Sequence, residues 1–282
     1  MGTKFCLSVL ALTLTQLSAA EPESHTAALE GHKIHYLSTG QGDEALVFIH
    51  GWTCNSTFWR MQAPLYESRR SLLVDLPGHG LSDKPEIPYT MDLFARAVNA
   101  VMADAKVRKA TLIGHSMGAA VAVQFLRLYP DKVASIVIVD GFLPLPPKDE
   151  ADRQRQLAQG AGVGKALRAP DYKAFDKRII ENSMFGPKTD PALREEITTK
   201  MMDVPQHTMA SAMDGMNAMA PVTERYPQVP VEAIMQRRAY EVFLKQHFDV
   251  VTFQAWGDAG HFLMMEQPDR FNQALVDFLD RK

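Results

Sequence analysis

The stretch Thr111-Leu112-Ile113-Gly114-His115-Ser116-Met117-Gly118-Ala119-Ala120 decides how this chain folds. The apolar residues before Gly114 have the composition of a buried strand, and the apolar pattern after Gly118 is that of a helix. The two glycines leave room for a sharp strand-to-helix turn, which forces its central residue into strained backbone geometry. We therefore expect Ser116 to project from such a turn at the end of a strand.

Other short apolar runs have the character of strands that are buried on both faces. The sequence predicts strands at residues 45–49, 71–75, 110–113, 134–139, 231–235 and 250–253, and a β-hairpin from residues 25–29 and 33–37. Helical spacing of apolar residues predicts helices at residues 91–105, 117–128 and 268–279. Strands that alternate with helices indicate βαβ units, so we expect an α/β protein with a mostly parallel sheet.

The segment from residue 141 to residue 226 interrupts this alternation. It contains helical stretches punctuated by prolines and glycines, and no convincing strand. The sequence therefore predicts one core domain, formed by residues 21–140 and 227–282, into which residues 141–226 are inserted as a mainly helical cap.

The first twenty residues have the features of a secretory signal. Lys4 supplies a positive charge, residues 5–17 form an apolar run, and Ser18-Ala19-Ala20 provides small residues before a cleavage point after Ala20. The alternative is a transmembrane anchor, but the run is shorter than the roughly 20 residues that a bilayer requires. We expect residues 1–20 to be removed and the mature protein to be secreted or periplasmic, without stable membrane insertion.

Composition and charge exclude several classes of partner. Hydrophobic residues make up 46% of the 282 residues and charged residues 22%, which is typical of a globular protein. The formal net charge is −3 and no basic tract is present, so nucleic acid and anionic membranes are not expected partners. We expect neither a cofactor nor a metal. Cys54 is the sole cysteine beyond the signal, so we expect a buried free thiol.

A serine on a strand-to-helix turn is typical of a nucleophile in acyl transfer. The oxyanion that develops in such a reaction needs two backbone N–H donors. We expect one donor from Met117, which follows Ser116 at the start of a helix, and the other from Trp52 in the loop after the third strand. His50, in the same loop, is expected to order it rather than to catalyse.

His261 is the expected general base. It follows the last strand in Gly257-Asp258-Ala259-Gly260-His261-Phe262, where a turn projects it over the edge of the sheet. Gly260 permits tight backbone geometry beside it. His79 lies on a different loop ahead of the nucleophile, and His115 is held within the turn itself, so both are weaker candidates.

Four motifs together resemble those of the α/β-hydrolase superfamily, in that superfamily's order. They are His50-Gly51-Trp52, Asp75-Leu76-Pro77-Gly78-His79-Gly80-Leu81-Ser82, Gly114-His115-Ser116-Met117-Gly118, and Gly260-His261-Phe262 with Glu266-Gln267-Pro268. The likeness covers about residues 31–278 apart from the insertion. It implies the α/β-hydrolase fold: a mostly parallel eight-stranded sheet flanked by helices, a cap over the active site, and a Ser-acid-His triad. It indicates the chemistry better than the substrate.

The triad's acid is where this sequence departs from the family's commonest pattern. That pattern places an acid after the strand that follows the cap, but residues 231–235 run into Gln236-Arg237-Arg238-Ala239-Tyr240-Glu241. Asp140, one strand earlier, is the expected acid, because some family members carry theirs there and it can accept a hydrogen bond from His261 Nδ1. Two alternatives stay open: Asp140 as a mere turn residue, and Glu241 as the acid. Asp258 is too close to His261 in sequence.

The insertion carries methionines at helical spacing. They are Met209, Met213 and Met216, with Met201, Met202 and Met219 nearby. The pattern is typical of core packing, or alternatively of an adaptable apolar pocket wall, and either favours a small or medium hydrophobic substrate. Gly160, Gly162 and Gly164 suggest a flexible connection that could permit lid motion.

The leading functional hypothesis is hydrolysis of a carboxylic ester through an acyl-enzyme, with Ser116 as nucleophile, His261 as base and Asp140 as the orienting acid. A second hypothesis keeps this triad but changes the reaction to lactone opening, perhydrolysis or carbon–carbon cleavage in a diketone. A third is a non-catalytic binding protein on the same fold, which the presence of both Ser116 and His261 disfavours. Serine at the nucleophile position argues against dehalogenase and epoxide hydrolase relatives, which use aspartate there.

Overall fold

The computed structural model describes residues 21–281, so the signal expected at residues 1–20 lies outside the described residues. The described part of the chain contains eight strands, which are β1 (Glu23–Leu29), β2 (His32–Thr39), β3 (Glu44–Ile49), β4 (Ser71–Val74), β5 (Lys109–His115), β6 (Val133–Val139), β7 (Val231–Met235) and β8 (Val251–Ala255). Each predicted strand is present, with ends that differ by one or two residues.

The strands form one sheet in the order β1-β2-β4-β3-β5-β6-β7-β8. Strands β1 and β2 form an antiparallel hairpin, β2 is also antiparallel to β4, and the pairs from β4 to β8 are parallel. Strands β3, β4 and β6 are almost wholly buried, as their continuous apolar runs predict. The expected mostly parallel, eight-stranded α/β-hydrolase sheet is confirmed.

Ten α-helices accompany the sheet in the described chain: α1 (Ala63–Tyr66), α2 (Met91–Asp104), α3 (Met117–Leu128), α4 (Glu150–Leu167), α5 (Tyr172–Ser183), α6 (Pro191–Met201), α7 (Gln206–Asn217), α8 (Glu241–His247), α9 (Leu263–Glu266) and α10 (Pro268–Leu279). Short 3₁₀ helices occur at Ser56–Gln62, Pro130–Lys132 and Arg238–Tyr240. No helix within residues 21–281 combines the length and the apolarity needed to cross a bilayer.

Apart from α8, which contacts β8, the α-helices of the core form two groups. Helix α3 packs on β3, β5 and β6, with α2 against it, and α2 also contacts β1, β2 and β4. The second group joins α1, α9 and α10 around the 3₁₀ helix at Ser56–Gln62. Helix α10 buries Phe271, Leu275 and Phe278, which is the helical spacing seen in the sequence.

Residues 141–226, called here the helical insertion, contain α4 to α7 and no strand. Helix α7 packs against α4 and also contacts α2 of the core. It buries Met209 and Met216, while Met213 is partly buried beside them. The insertion therefore rests on the core through α7.

Two glycines let α3 begin directly after β5. A Cβ atom built on Gly118 would lie 2.2 Å from the carbonyl oxygen of Ile49, and one on Gly114 would lie 2.4 Å from the carbonyl oxygen of Gly118. Both contacts are with backbone, which cannot rotate away as a side chain can. The close approach of α3 to β3 thus explains Gly118, and the close approach of the end of β5 to the start of α3 explains Gly114.

We expect Gly118→Ala to destabilise the fold by about 3 kcal/mol, because the added methyl group collides with the β3 backbone. The matched control is Gly162→Ala in α4, where an added Cβ meets no atom within 4 Å. There the loss of a flexible helix residue should stabilise by about 0.5–1 kcal/mol. Urea unfolding of both variants measures the difference. A Gly118→Ala protein as stable as the wild type would contradict this account.

Candidate active site

Ser116 sits on the turn between β5 and α3 with φ 52° and ψ −117°, a strained conformation for a residue other than glycine. Its amide donates to the carbonyl oxygen of Val139 at 3.0 Å, and its own carbonyl oxygen accepts from the amides of Ala119 and Phe142, each at 3.0 Å. These bonds tie the turn to α3 and to the end of β6. The predicted sharp turn is present, and it holds the serine in place.

Asp140 and His261 form a hydrogen-bonded pair at the same edge of the sheet. His261 Nδ1 lies 2.6 Å from Asp140 Oδ2, and Asp140 Oδ1 accepts from the Gln236 amide at 2.8 Å. Burial raises the pKa of Asp140, but the hydrogen bond and charge of His261 and the Gln236 amide outweigh burial and hold that pKa below its usual value. The carboxylate is therefore ionised and fixes the orientation of the imidazole.

The loop that carries His261 is held from several sides. The His261 amide donates to the carbonyl oxygen of Met184 in the helical insertion at 2.8 Å, and Gly260 donates to Glu266 Oε2 at 2.8 Å. The Gln236 side chain donates to the carbonyl oxygen of Ala259 at 2.9 Å. The base thus depends on the insertion as well as on the sheet.

His115 also braces the base, a role that the sequence reasoning missed. Its Nε2 lies 3.0 Å from the carbonyl oxygen of His261, and the two rings are 4.7 Å apart. Burial lowers the pKa of His115 to about 3, so the ring is neutral and its Nε2–H is the donor. His115 is therefore a link between the serine turn and the base loop.

The two segments expected to supply the oxyanion donors both lie beside Ser116. Met117 is the first residue of α3, and the first amides of a helix have no acceptor within it. A Cβ built on Gly51 would lie 3.1 Å from Ser116 Cβ, so the loop that continues to Trp52 passes directly beside the serine. The Trp52 indole donates to the carbonyl oxygen of Met209 at 2.9 Å, which joins this loop to α7.

His50 orders that loop, as the sequence analysis expects. Its Nε2 accepts from the Leu76 amide at 3.0 Å, which leaves the proton on Nδ1, 2.8 Å from the carbonyl oxygen of Gly51. Burial lowers the pKa of His50, so this neutral tautomer is retained. Both ring nitrogens of His50 are thus used in hydrogen bonds that join the loop after β3 to the loop after β4.

Asp75 is a second buried support. Its carboxylate accepts from the Ser56 amide at 2.7 Å, from the Leu81 amide at 2.9 Å and from the His35 ring at 2.8 Å. Burial raises the pKa of Asp75, but these bonds, led by His35, outweigh it and lower that pKa to about 2. The sequence motif contains Asp75, but its spacing does not reveal that three segments converge on this one carboxylate.

The alternative acids Glu241 and Asp258 and the alternative base His79 have other partners. Glu241 pairs with Arg238 and with Lys245 on and beside α8, and Asp258 pairs with Arg270. His79 is buried with its Nδ1 on the carbonyl oxygen of Pro77. The structure thus brings Asp140, and not Glu241, to His261.

Ser116 and His261 line one cavity of about 90 Å³. They share it without a hydrogen bond between them in the described chain, and such contacts often tighten when substrate binds. The wall of this cavity is mostly apolar and contains no lysine or arginine among the described lining residues. Its apolar members include Trp52, Ile179, Met184, Met201, Met213, Met216 and Phe262.

A larger groove of about 680 Å³ lies between residues 86–90 and α7, away from Ser116. Within residues 21–281, no cluster of three or more metal-ligating side chains occurs.

Comparison with known proteins agrees with this geometry. The model of one family, described as "Alpha/beta hydrolase family", matches residues 46–274. The chain belongs to the alpha/beta hydrolase family. This hydrolase is 27% identical to a "2-hydroxy-6-oxononadienedioate/2-hydroxy-6-oxononatrienedioate hydrolase" of Paraburkholderia phymatum, over 95% of this chain and 98% of the relative. A protein with the same description from Escherichia coli K12 is 25% identical, over 88% of this chain and 91% of the relative.

Solved structures show the same fold. An esterase from Exiguobacterium antarcticum superposes on this hydrolase with a TM-score of 0.76 and 19% identity, over 92% of this chain and 100% of the other. A thermophilic esterase from Thermogutta terrifontis has a TM-score of 0.75 and 23% identity, over 93% of this chain and 99% of the other. At these identities the likeness extends to the fold and not to the substrate.

We expect Asp140→Asn to slow the reaction of Ser116 with a fluorophosphonate probe by on the order of 10⁴-fold, because the amide no longer holds the required tautomer of His261. Glu241→Gln is the matched control and should label at the wild-type rate. The measurement is the rate of labelling at a pH where that rate no longer rises with increasing pH. Equal rates for Asp140→Asn and wild type would refute the assignment of Asp140.

We expect Asp75 to stabilise the fold only above acidic pH. Its pKa falls from 3.8 to about 2 on folding. A depressed carboxyl pKa contributes stability that is complete above the unfolded value, here about 2 kcal/mol, and is lost as pH falls from about 4 towards 2. The difference in unfolding free energy between wild type and Asp75→Asn should shrink over that interval. Asp203→Asn, at an exposed position, should show no such change.

Proposed function

We propose that this hydrolase cleaves carboxylic esters of small or medium hydrophobic substrates through an acyl-enzyme intermediate. One observation carries the proposal: His261, joined to Asp140 at 2.6 Å, shares a cavity with a serine on a strained strand-to-helix turn. A nucleophile, a base and an acid that orients the base are the parts that such a reaction requires.

In the proposed reaction, Ser116 Oγ attacks the ester carbonyl carbon while His261 Nε2 takes its proton. The amides of Met117 and Trp52 stabilise the oxyanion. The intermediate collapses, the alcohol leaves with the proton from His261, and Ser116 holds the acyl group. Water then attacks the acyl carbon while His261 takes its proton, and Ser116 Oγ leaves and recovers that proton from His261. One ester and one water thus yield one acid and one alcohol.

The wall of the cavity supports the hydrophobic substrate class. Ile179 and the methionines offer apolar surface, and methionine side chains adapt to different shapes. Because no lysine or arginine lines the cavity, a carboxylate or phosphate on the substrate would enter without a charged partner there.

The second candidate is hydrolysis of a carbon–carbon bond. It is favoured by the curated relatives at 27% and 25% identity, whose names describe hydrolases of a dienedioate or a trienedioate. The same three residues would serve this reaction. Those names describe substrates with two carboxylates. No lysine or arginine of residues 21–281 lines the cavity, which favours the ester for this chain.

We also propose that residues 1–20 direct export of the chain and are then removed, which leaves Glu21 as the first residue. The charge of Lys4, the apolar run at residues 5–17 and the small residues before Glu21 support this proposal.

The test is a panel of p-nitrophenyl esters from acetate to octanoate, assayed beside 2-hydroxy-6-oxononadienedioate. We expect turnover of esters, with kcat lowered by on the order of 10⁴-fold or more in Ser116→Ala and unchanged in the control Ser68→Ala. Turnover of the dienedioate alone would favour the second candidate. Failure of all substrates, together with no fluorophosphonate label on Ser116, would overturn both.

A further inference from the structure

Asp176 on α5 is a buried acid that the mechanism does not use. Its side chain is 0% exposed, and neither carboxylate oxygen has a hydrogen-bond partner within residues 21–281. Burial raises the pKa of Asp176 to about 6, and no neighbouring charge or donor in the described chain counters that effect. Burying such a group without a partner costs free energy, so its presence calls for an explanation.

The other deeply buried acids of this protein are paired. Asp75 accepts three hydrogen bonds, and Glu232, also 0% exposed, accepts from Gln254 at 2.8 Å and pairs with Arg281 at 3.2 Å. The fold therefore supplies partners to buried carboxylates elsewhere. Asp176 differs from them in that neither of its carboxylate oxygens has a partner within residues 21–281.

The position of Asp176 relates it to the catalytic cavity. Residues three and four apart on a helix share a face, so Asp176 lies on the side of α5 that carries Ile179 and Ile180. Ile179 lines the cavity, and it is about 4.5 Å further along the helix axis. Helix α5 packs against α6, whose Met201 also lines the cavity. Asp176 thus lies about one helical turn from a residue of the cavity wall and is not itself among the residues that line the cavity.

We propose that Asp176 binds a hydrogen-bond donor, a hydroxyl or an ammonium group, at the end of the substrate remote from the scissile carbonyl. This inference rests on the proposed function, since the cavity of Ser116 is where the substrate enters. The substrate class it defines is an ester with an apolar chain and a polar, donor-bearing end. Flexible methionine side chains such as Met201 can shift to admit that chain.

The chemistry of the setting makes such a contact selective. A hydrogen bond to an ionised acceptor is stronger than one between neutral groups, and low polarity strengthens it further. A site with an unpaired polar group strongly rejects a substrate that lacks the matching hydrogen-bond donor. This discrimination is larger than that of an apolar pocket between substrates that differ by one methylene. In the absence of Asp176, a terminal hydroxyl in this apolar interior would instead weaken binding.

The test compares p-nitrophenyl butanoate, hexanoate and octanoate with their ω-hydroxy and ω-ammonium analogues. The readout is the ratio of kcat/KM for each donor-bearing ester to that of the plain ester of equal length. At the chain length that reaches Asp176 we expect a ratio of about 10 or more for the wild type and below 1 for Asp176→Leu. The hydroxyl and ammonium arms distinguish a neutral donor from a cation. Glu181→Gln, an exposed acid on the same helix, is the control and should keep the wild-type ratio.

Stability separates recognition from a structural role. Because leucine removes a lone buried carboxyl without leaving a cavity, Asp176→Leu should raise the midpoint of thermal unfolding. Asp176→Asn serves if the leucine variant does not fold, and it should lose the preference for the ammonium esters. Identical ratios in wild type and the folded variants at all three lengths would overturn the inference.

Binding measured without catalysis distinguishes a failure of this inference from a failure of the proposed function. Ser116→Ala, with and without Asp176→Leu, is heated with methyl ω-hydroxyalkanoates and with plain methyl alkanoates. A larger rise in unfolding temperature with the hydroxy esters, present only when Asp176 is intact, supports the inference even if no ester is cleaved. Equal rises for both proteins count against it even if plain esters are good substrates.

Discussion

The absence of side chains at Gly114 and Gly118 is the constraint on which the site depends. The start of α3 approaches the backbone of β3 so closely that a single methyl group at Gly118 would overlap the Ile49 carbonyl oxygen. This contact brings the loop after β3, with Gly51 and Trp52, against the turn that holds Ser116. Ser116, which lies between the two glycines, has a positive φ of 52°. Ser116 and the loop that carries Trp52 are thus positioned by one point of backbone contact.

The parallel strands place the remaining groups. Strands β5, β6 and β7 end at one edge of the sheet, and Ser116, Asp140 and Gln236 each follow the last residues of one of them. Neighbouring strands lie about 4.8 Å apart, so the nucleophile and the acid are held at a spacing that loops cannot alter. His261 comes from beyond β8 and has no such support from the sheet. Its loop relies on hydrogen bonds to His115, Asp140 and Met184.

The sequence predicts well those features that arise from neighbouring residues. Six of the strands follow from apolar runs, and the first two follow from the hairpin pattern around Gly31. The turn at Ser116 follows from two glycines between a strand and a helix pattern. The positions of Asp140 and His261 follow from their places after strands. Periodicity does not predict the bond between Asp140 and His261, because 121 positions separate them along the chain. The choice between Asp140 and Glu241 therefore needed the three-dimensional arrangement.

The features that the sequence does not predict depend on burial. Asp75 ends an apolar run and looks like an ordinary turn residue, yet it accepts hydrogen bonds from three segments. His115 looks like a spacer within the motif, yet it bonds to the base loop. Asp176 is followed by Lys177 and Arg178 on a polar helix and looks solvent-exposed, yet it is fully buried. In each case the local residue types are compatible with a buried or an exposed position. Packing against elements that are distant in sequence determines which of the two occurs.

The bond from the His261 amide to the Met184 carbonyl oxygen joins the base directly to the insertion. Gly186 and Gly260 pack so closely beside it that a Cβ on Gly260 would lie 2.3 Å from the Gly186 amide nitrogen. A movement of the segment after α5 away from the core would break this bond and leave the His261 loop held by Asp140 and His115. The orientation of His261 and the placement of the insertion over the cavity are therefore coupled.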